Sequence, residues 1–170
     1  AVSNGKIKGT GSTQKLQKKY KADTVIDLTG KPVYPGFHDA HCHFYGYAQN
    51  LRKADLRGTK TFKEVVDKLK AHNKAYNTRW ILGRGWDQND WPSKKYPDND
   101  LLDEAFPDKP VYLTRVDGHA AIVNSRALEL AGVTPDTTIQ GGEFLKKNGA
   151  LTGVLIDNAM QPVRKIIPEA

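Results

Sequence analysis

The sequence has a single cysteine, Cys42, and no long apolar segment. One cysteine excludes a small domain that is held together by internal disulfides. No apolar run approaches the roughly 20 residues that a membrane-spanning helix needs, so we expect no membrane partner. Hydrophobic residues make up 38% of the chain and charged residues 26%, and this balance is typical of a folded globular domain.

Acidic residues are missing from the first 22 positions, where six lysines precede Asp23. The whole chain has 26 basic and 19 acidic residues, so this segment accounts for almost all of the net charge of +7. A nucleic-acid groove would need aromatic side chains among the lysines for base stacking, and only Tyr20 is present. We therefore expect a solvated, lysine-rich surface and no nucleic-acid partner, and a basic nucleic-acid-binding domain is the weakest of three functional hypotheses.

Short apolar segments that are separated by turn residues and helix caps predict an α/β fold. Asn-Gly pairs at 4–5 and 148–149 predict β-hairpins, and Thr61 with Glu64 forms a capping-box pattern that predicts the start of a helix. The other predicted elements are strands at 24–28, from 37, at 80–83 and at 111–116, and helical segments at 16–20, 99–106 and 124–130.

His41 and His43 are the residues that most directly suggest chemistry. On a strand that begins at Phe37, residues two apart would face the same side, and two imidazoles there would be able to bind one metal ion. Neutral imidazole suits zinc, iron, nickel or manganese. The alternative is a pair of partly exposed histidines where a strand meets a loop. Cys42 would point to the opposite side as a small buried thiol.

Several segments resemble a known family. Residues 31–43, KPVYPGFHDAHCH, resemble the first barrel strand of the amidohydrolase superfamily. Residues 83–92, GRGWDQNDWP, and 113–121, LTRVDGHAA, are similar to its amidohydrolase 3 branch, which includes N-substituted formamide deformylases. Residues 124–128, NSRAL, and 153–157, GVLID, also fit that branch.

The resemblance implies both a fold and an activity. Residues 1–32 would be part of a small β-sandwich, and residues 33–170 would be the first part of a TIM-type (β/α) barrel with an α/β insertion. The activity would be metal-dependent hydrolysis of a non-peptide C–N bond in an amide, formamide or cyclic amide, with a metal-activated water. His41 and His43 match the first two metal ligands of the family. The cofactor would be a divalent metal, with zinc as the first choice and iron or manganese as alternatives.

His119, in a DGH motif, is the predicted catalytic residue. It would contact a small-molecule substrate or stabilise charge that develops on the carbonyl oxygen, and the alternative is a structural histidine bonded to a backbone carbonyl. Trp86, Asp87 and Asp117 are the predicted substrate contacts at the mouth of the pocket. His72 is expected on the polar, solvated side of its helix.

The remaining metal ligands of the family cannot be placed on this sequence, because no histidine follows His119. We therefore expect the chain to be an N-terminal fragment of a longer hydrolase and to be inactive by itself. We also expect a homo-oligomer, because an unclosed barrel exposes strand edges that pair. The main alternative is a noncatalytic module that binds a metal or another ligand.

Overall fold

The computed structural model describes residues 1–168, which belong to two compact units. The first unit ends at Cys42 and the second begins at His43. The predicted division into a β-sandwich part at 1–32 and a barrel part at 33–170 stays a prediction. No helix within the described residues is long and apolar enough to cross a bilayer.

The first unit is a small hairpin followed by one helix. It contains β1 (Val2–Ser3), β2 (Lys6–Ile7) and α1 (Thr13–Lys19). The two strands pair antiparallel, and the turn between them has positive φ angles of 52° at Asn4 and 70° at Gly5. Both residue types tolerate these angles, which the tight hairpin turn requires. The hairpin and helical segment predicted from the sequence are therefore confirmed.

Two strands predicted in this unit are wrong. Residues 21–42 contain no helix or strand, although strands were predicted at 24–28 and from Phe37. The apolar side chains of these segments are exposed, with Ile26 at 75% and Phe37 at 90%. A strand is stable only when a neighbour pairs its backbone groups and covers one face, and no other strand does so here within the described residues. The predicted β-sandwich stays a prediction.

The second unit contains a mixed sheet with helices on its surfaces. Its elements are α2 (Phe44–Asn50), β3 (Ala54–Asp55), α3 (Phe62–Tyr76), β4 (Ile81–Trp86), α4 (Asp100–Ala105), β5 (Val111–Arg115), β6 (Ala120–Val123), α5 (Ser125–Leu130), β7 (Gly142–Lys147), β8 (Ala150–Asp157) and α6 (Gln161–Arg164), with short 3-10 turns at Gln88–Asp90 and Asn158–Met160. The strand order is β3-β4-β5-β6-β8-β7. The pairs β3–β4 and β4–β5 are parallel, and the remaining pairs are antiparallel. This arrangement confirms a mixed α/β fold, and the barrel stays a prediction.

The sheet carries a hydrophobic core on each face. Successive residues of β5 point to opposite sides, so Leu113 packs in one cluster with α3 and Tyr112 packs in the other with α5. Leu113 is fully buried and Tyr112 is 7% exposed. Burying one large apolar side chain contributes about 1.5–3 kcal/mol, so both clusters hold the sheet in place.

Helix α3 starts where the sequence predicts. The Thr61 hydroxyl accepts a hydrogen bond of 3.1 Å from the Glu64 backbone N–H. The Glu64 carboxylate accepts from the Lys60 N–H at 2.7 Å, one residue before the position that the capping-box pattern specifies. His72, on the same helix, is not solvated as predicted. Both of its ring nitrogens are buried, and this burial lowers its pKa against the opposing effect of a backbone hydrogen bond at Arg52.

Candidate active site at the carboxyl edge of the sheet

Several of the predicted site residues meet at one edge of the sheet. Strands β4 and β5 are parallel, so Asp87 and Asp117, which follow them, lie at the same edge. Strand β6 runs antiparallel to β5, which brings His119, just before β6, to this edge. Strand β8 runs antiparallel to β6 and ends there at Asp157. In open α/β sheets, ligands bind beyond the carboxyl ends of parallel strands.

Arg115 connects the two aspartates that were predicted to contact substrate. One terminal nitrogen lies 3.3 Å from Asp87 Oδ1 and the other lies 3.2 Å from Asp117 Oδ2. The Arg115 side chain is only 15% exposed, and its guanidinium carbon lies 5.9 Å from the centre of the Tyr96 ring. With a carboxylate on each side, the Arg115 charge is neutralised within the protein. Arg115 therefore orders the loops after β4 and β5 instead of offering an anion site.

His119 is held through its backbone and its ring by two different carboxylates. Its backbone N–H donates to Asp117 Oδ1 at 3.0 Å. Its ring atom Nδ1 lies 2.9 Å from Asp157 Oδ1, and the side chain is 76% exposed. An ionised carboxylate is an acceptor only, so this contact favours a proton on Nδ1 and leaves Nε2 of the neutral ring with its lone pair.

Asp157 has an unusual backbone conformation, with φ at 47° and ψ at −117°. These angles match the first central position of a type II′ turn, which glycine dominates. A non-glycine residue in such a region costs on the order of 1–3 kcal/mol, whereas an exposed ion pair contributes about 0–1 kcal/mol. The pair with His119 does not offset this strain by itself. The hydrogen bond from the Asp157 N–H to the His119 carbonyl, 2.9 Å long, also holds the backbone there.

Trp86 lies below this edge, inside the core. Its side chain is fully buried, its indole N–H donates to the Leu113 carbonyl at 2.9 Å, and its ring stacks on Trp91 at 6.0 Å. Asp87 begins the 3-10 turn that follows β4, where it accepts a hydrogen bond from the Asn89 N–H. The burial of Trp86 favours a packing role, and its predicted contact with substrate stays a prediction.

An open groove adjoins Arg115. It has a volume of about 510 Å³, and its lining includes Lys60, Phe62, Trp91 and Tyr96. The Tyr96 hydroxyl accepts a hydrogen bond of 3.4 Å from Arg115, so Tyr96 belongs both to the groove and to the surroundings of the ion-pair network. The groove offers aromatic surface next to the edge that carries His119.

His41 and His43 do not lie on a strand. The His41 backbone N–H donates to Asp39 Oδ1 at 3.0 Å, and His43 is the residue that caps the start of α2. The expectation that a strand places both rings on one face is therefore wrong. Cys42 is exposed rather than buried. Within residues 1–168, no three or more histidine, cysteine, aspartate or glutamate side chains form a group able to hold a metal ion. The ligand roles of the two histidines stay predictions.

Two residues of the edge were not identified from the sequence. Arg115 lies inside a predicted strand, and Asp157 ends the segment GVLID that resembles the amidohydrolase 3 branch, but neither residue is assigned a role from the sequence. The available signal was their position, since each is a charged residue at the carboxyl end of a strand with an apolar interior. Such positions in α/β folds are common sites of ligand binding.

Comparisons with known proteins show what this chain is similar to. The model of the Amidohydrolase family, Amidohydro_3, matches residues 24–170. YtcJ of Bacillus subtilis (strain 168) is 35% identical over 98% of this chain and 32% of its own length. The N-substituted formamide deformylase of Arthrobacter pascens is 29% identical over 93% of this chain and 30% of its own length. The chain thus spans about a third of the length of these relatives.

A solved structure is also similar. An uncharacterized metal-dependent hydrolase from Pyrococcus furiosus superposes with a TM-score of 0.56 and 32% sequence identity, over 78% of this chain and 25% of that chain. The matched region of the family model includes both the HCH segment at 41–43 and the edge that carries His119 and Asp157. The chain belongs to the amidohydrolase family.

Proposed function

We propose that this chain supplies two metal ligands and a substrate-contacting histidine to a hydrolase of non-peptide C–N bonds. The observation that carries the proposal is the family match over residues 24–170, which includes His41, His43 and His119. The relative named as an N-substituted formamide deformylase makes an amide or formamide the first substrate class to test.

The side chains at 41 and 43 fit a divalent metal by their donor chemistry. Neutral imidazoles bind zinc, iron and manganese, and zinc is our first choice. A bound metal would lower the pKa of a water molecule for attack on a carbonyl carbon. A catalytic zinc site usually needs three protein ligands, and residues 1–168 contain no group of three. We therefore propose that this chain alone does not turn over substrate.

His119 would contact the substrate, take a proton on Nε2 from the attacking water and return it to the departing amine. In the neutral form of the ring, the contact with Asp157 favours the proton on Nδ1, so Nε2 would accept a hydrogen bond from substrate or water. A side chain that moves a proton in the transition state contributes about 10²–10⁴-fold to the rate. The aromatic side chains of the groove beside Tyr96 would hold the organic substituent on nitrogen.

The proposal is tested by metal content and hydrolysis in the intact protein that carries this chain. We expect near-stoichiometric metal by plasma mass spectrometry and metal-dependent release of formate from an N-substituted formamide. His41→Ala/His43→Ala should lose both, and His38→Ala is the matched control that should keep both. His119→Ala should keep the metal and lower kcat by about 100-fold or more. Unchanged metal and activity in the double variant would contradict the assignment.

A noncatalytic module that binds a metal or another ligand remains the second hypothesis. It predicts metal binding by the intact protein without hydrolysis of any amide or formamide. The same two measurements therefore separate the hypotheses.

A further inference from the structure

The ring of His119 has a single side-chain hydrogen-bond partner among the described residues. Asp157 Oδ1 lies 2.9 Å from Nδ1, and no hydrogen bond to Nε2 is found within residues 1–168. The His119 backbone is fixed separately, through its N–H to Asp117, and Asp117 is in turn held by the mostly buried Arg115. Only the Asp157 contact can therefore set the ring tautomer.

The strand pairing makes the contact between these residues specific. Ala120 of β6 pairs with Ile156 of β8, so the residues just beyond this pair, His119 and Asp157, meet at the end of the ladder. The Asp157 N–H donates to the His119 carbonyl at 2.9 Å. One residue thus forms both a backbone and a side-chain hydrogen bond to the same histidine.

The strained backbone of Asp157 indicates that the aspartate has a role other than stabilising the fold. Its φ of 47° and ψ of −117° belong to a turn position that glycine fills without strain. Glycine would remove the strain, but it would also remove the carboxylate that contacts the imidazole. The strain from an aspartate here outweighs the stability that an exposed pair provides.

We propose that Asp157 is a positioning residue that fixes His119 as its Nδ1–H tautomer and so leaves the lone pair of the neutral ring on Nε2. The tautomer of a histidine is set by the hydrogen bond that its other nitrogen makes. The relevance of Asp157 to catalysis rests on the proposed function of His119, but the tautomer itself exists without metal or substrate. Asp157 acts through His119 and does not contact the substrate.

The test is nitrogen NMR of the chain labelled with ¹⁵N-histidine, without metal, at about pH 9, where neutral imidazole predominates. The chain has five histidines, and the His119 signals are assigned by their loss in His119→Gln. We expect the Nδ1–H form of His119 to exceed the Nε2–H form about threefold, because the contact is exposed to solvent. In Asp157→Gly this excess should disappear.

Controls separate this effect from a change in fold or charge. Glycine suits the backbone angles at 157, so Asp157→Gly should fold, and its circular dichroism spectrum should match that of the unmodified chain. Asp136→Gly removes an exposed carboxylate that does not bond to His119, and it should leave the tautomer ratio unchanged. The proposal is overturned if His119 shows no excess of the Nδ1–H form, or if Asp157→Gly keeps the same ratio.

Different experimental results would refute this inference and the proposed function. A tautomer ratio that does not depend on Asp157 would refute the positioning role, even if the intact protein hydrolyses formamides. In an active intact protein, Asp157→Gly should lower kcat about tenfold with little change in KM and in metal content. An intact protein that lacks hydrolysis but shows the Asp157-dependent tautomer would instead refute the proposed function.

Discussion

At the scale of single residues, the carboxylates of the sheet edge take different roles because their neighbours differ. Asp157 contacts an exposed imidazole, whereas Asp55, at the end of β3, is bound by Arg57 through two hydrogen bonds of 2.9 and 2.8 Å. The side-chain hydrogen bond from Arg57 is the main cause that lowers the Asp55 pKa to about 2. A two-point contact between guanidinium and carboxylate is the geometry that stabilises the ionised acid best.

The Asp55 pKa gives a prediction with a definite sign. Because the folded pKa is below the ordinary value of 3.8, its contribution to the free energy of unfolding is present above about pH 3.8 and is lost as the pH falls through about 2. Arg57→Gln should raise the Asp55 pKa towards 3.8, as measured by NMR titration of its carboxyl carbon. Lys68→Gln is the control, since Lys68 bonds only to backbone carbonyls, and it should shift the pKa much less. An equal shift in both variants would contradict the assigned cause.

At the scale of secondary-structure elements, Asn124 connects three segments of the second unit. Its side-chain oxygen accepts hydrogen bonds from the Val111 and Ala127 N–H groups, and its amide donates to the carbonyls of Phe106 and Lys109. Asn124 is fully buried, so water cannot replace these partners. The sequence predicts the cap of α5, at Asn124 or Ser125, but it does not predict the bonds to β5 and to the end of α4.

Replacing Asn124 should therefore destabilise the fold far more than an ordinary cap substitution. Each buried backbone group left without a partner costs about 1–3 kcal/mol, so Asn124→Ala should lower the free energy of unfolding by about 3 kcal/mol or more. A cap substitution typically costs about 1 kcal/mol. Urea denaturation measures the difference, and Thr61→Ala at the exposed cap of α3 is the control, with an expected loss of about 1 kcal/mol. Similar losses in the two variants would show that the additional bonds of Asn124 contribute little.

At the scale of the whole molecule, the two compact units differ in how much apolar surface they bury. The second unit has a core on each face of its sheet, whereas segment 21–42 of the first unit has no regular structure and exposes residues such as Phe37. Backbone without paired strands gains little stability from apolar side chains that stay in water. The histidines predicted as metal ligands lie on either side of the division between the units.

The reactivity of Cys42 tests whether this segment is exposed, because Cys42 is the single thiol of the chain and is exposed in the structure. A reagent such as Ellman's should modify it in the native protein within about tenfold of the rate in urea, since an exposed thiol needs no unfolding to react. A native rate slower by about a thousandfold would show that the thiol is buried, as the sequence suggested. Cys42→Ser should abolish the signal and serves as the blank.

Local patterns in the sequence were sufficient for features that depend on a few neighbouring residues. The Asn-Gly hairpins and the Thr61 cap of α3 form where they were predicted, because backbone angles and caps are decided within about four residues. Membership of the amidohydrolase family also followed from the motifs. The strands predicted at 24–28 and from Phe37 did not form, because a strand requires a partner that no local pattern can supply.

The tertiary structure alone decided which side chains meet. His119 and Asp157 are 38 residues apart in the sequence, and they come together only because β6 and β8 pair antiparallel. The roles of Arg115 and Trp86 also depend on tertiary structure. Each residue ends a strand, but Arg115 orders the loops at the sheet edge whereas Trp86 packs in the core. Hydrogen bonds and burial depend on distances in the folded structure, and the number of residues between two positions does not determine those distances. The sequence therefore determined the family and the candidate chemistry, while strand pairing determined which residues act together.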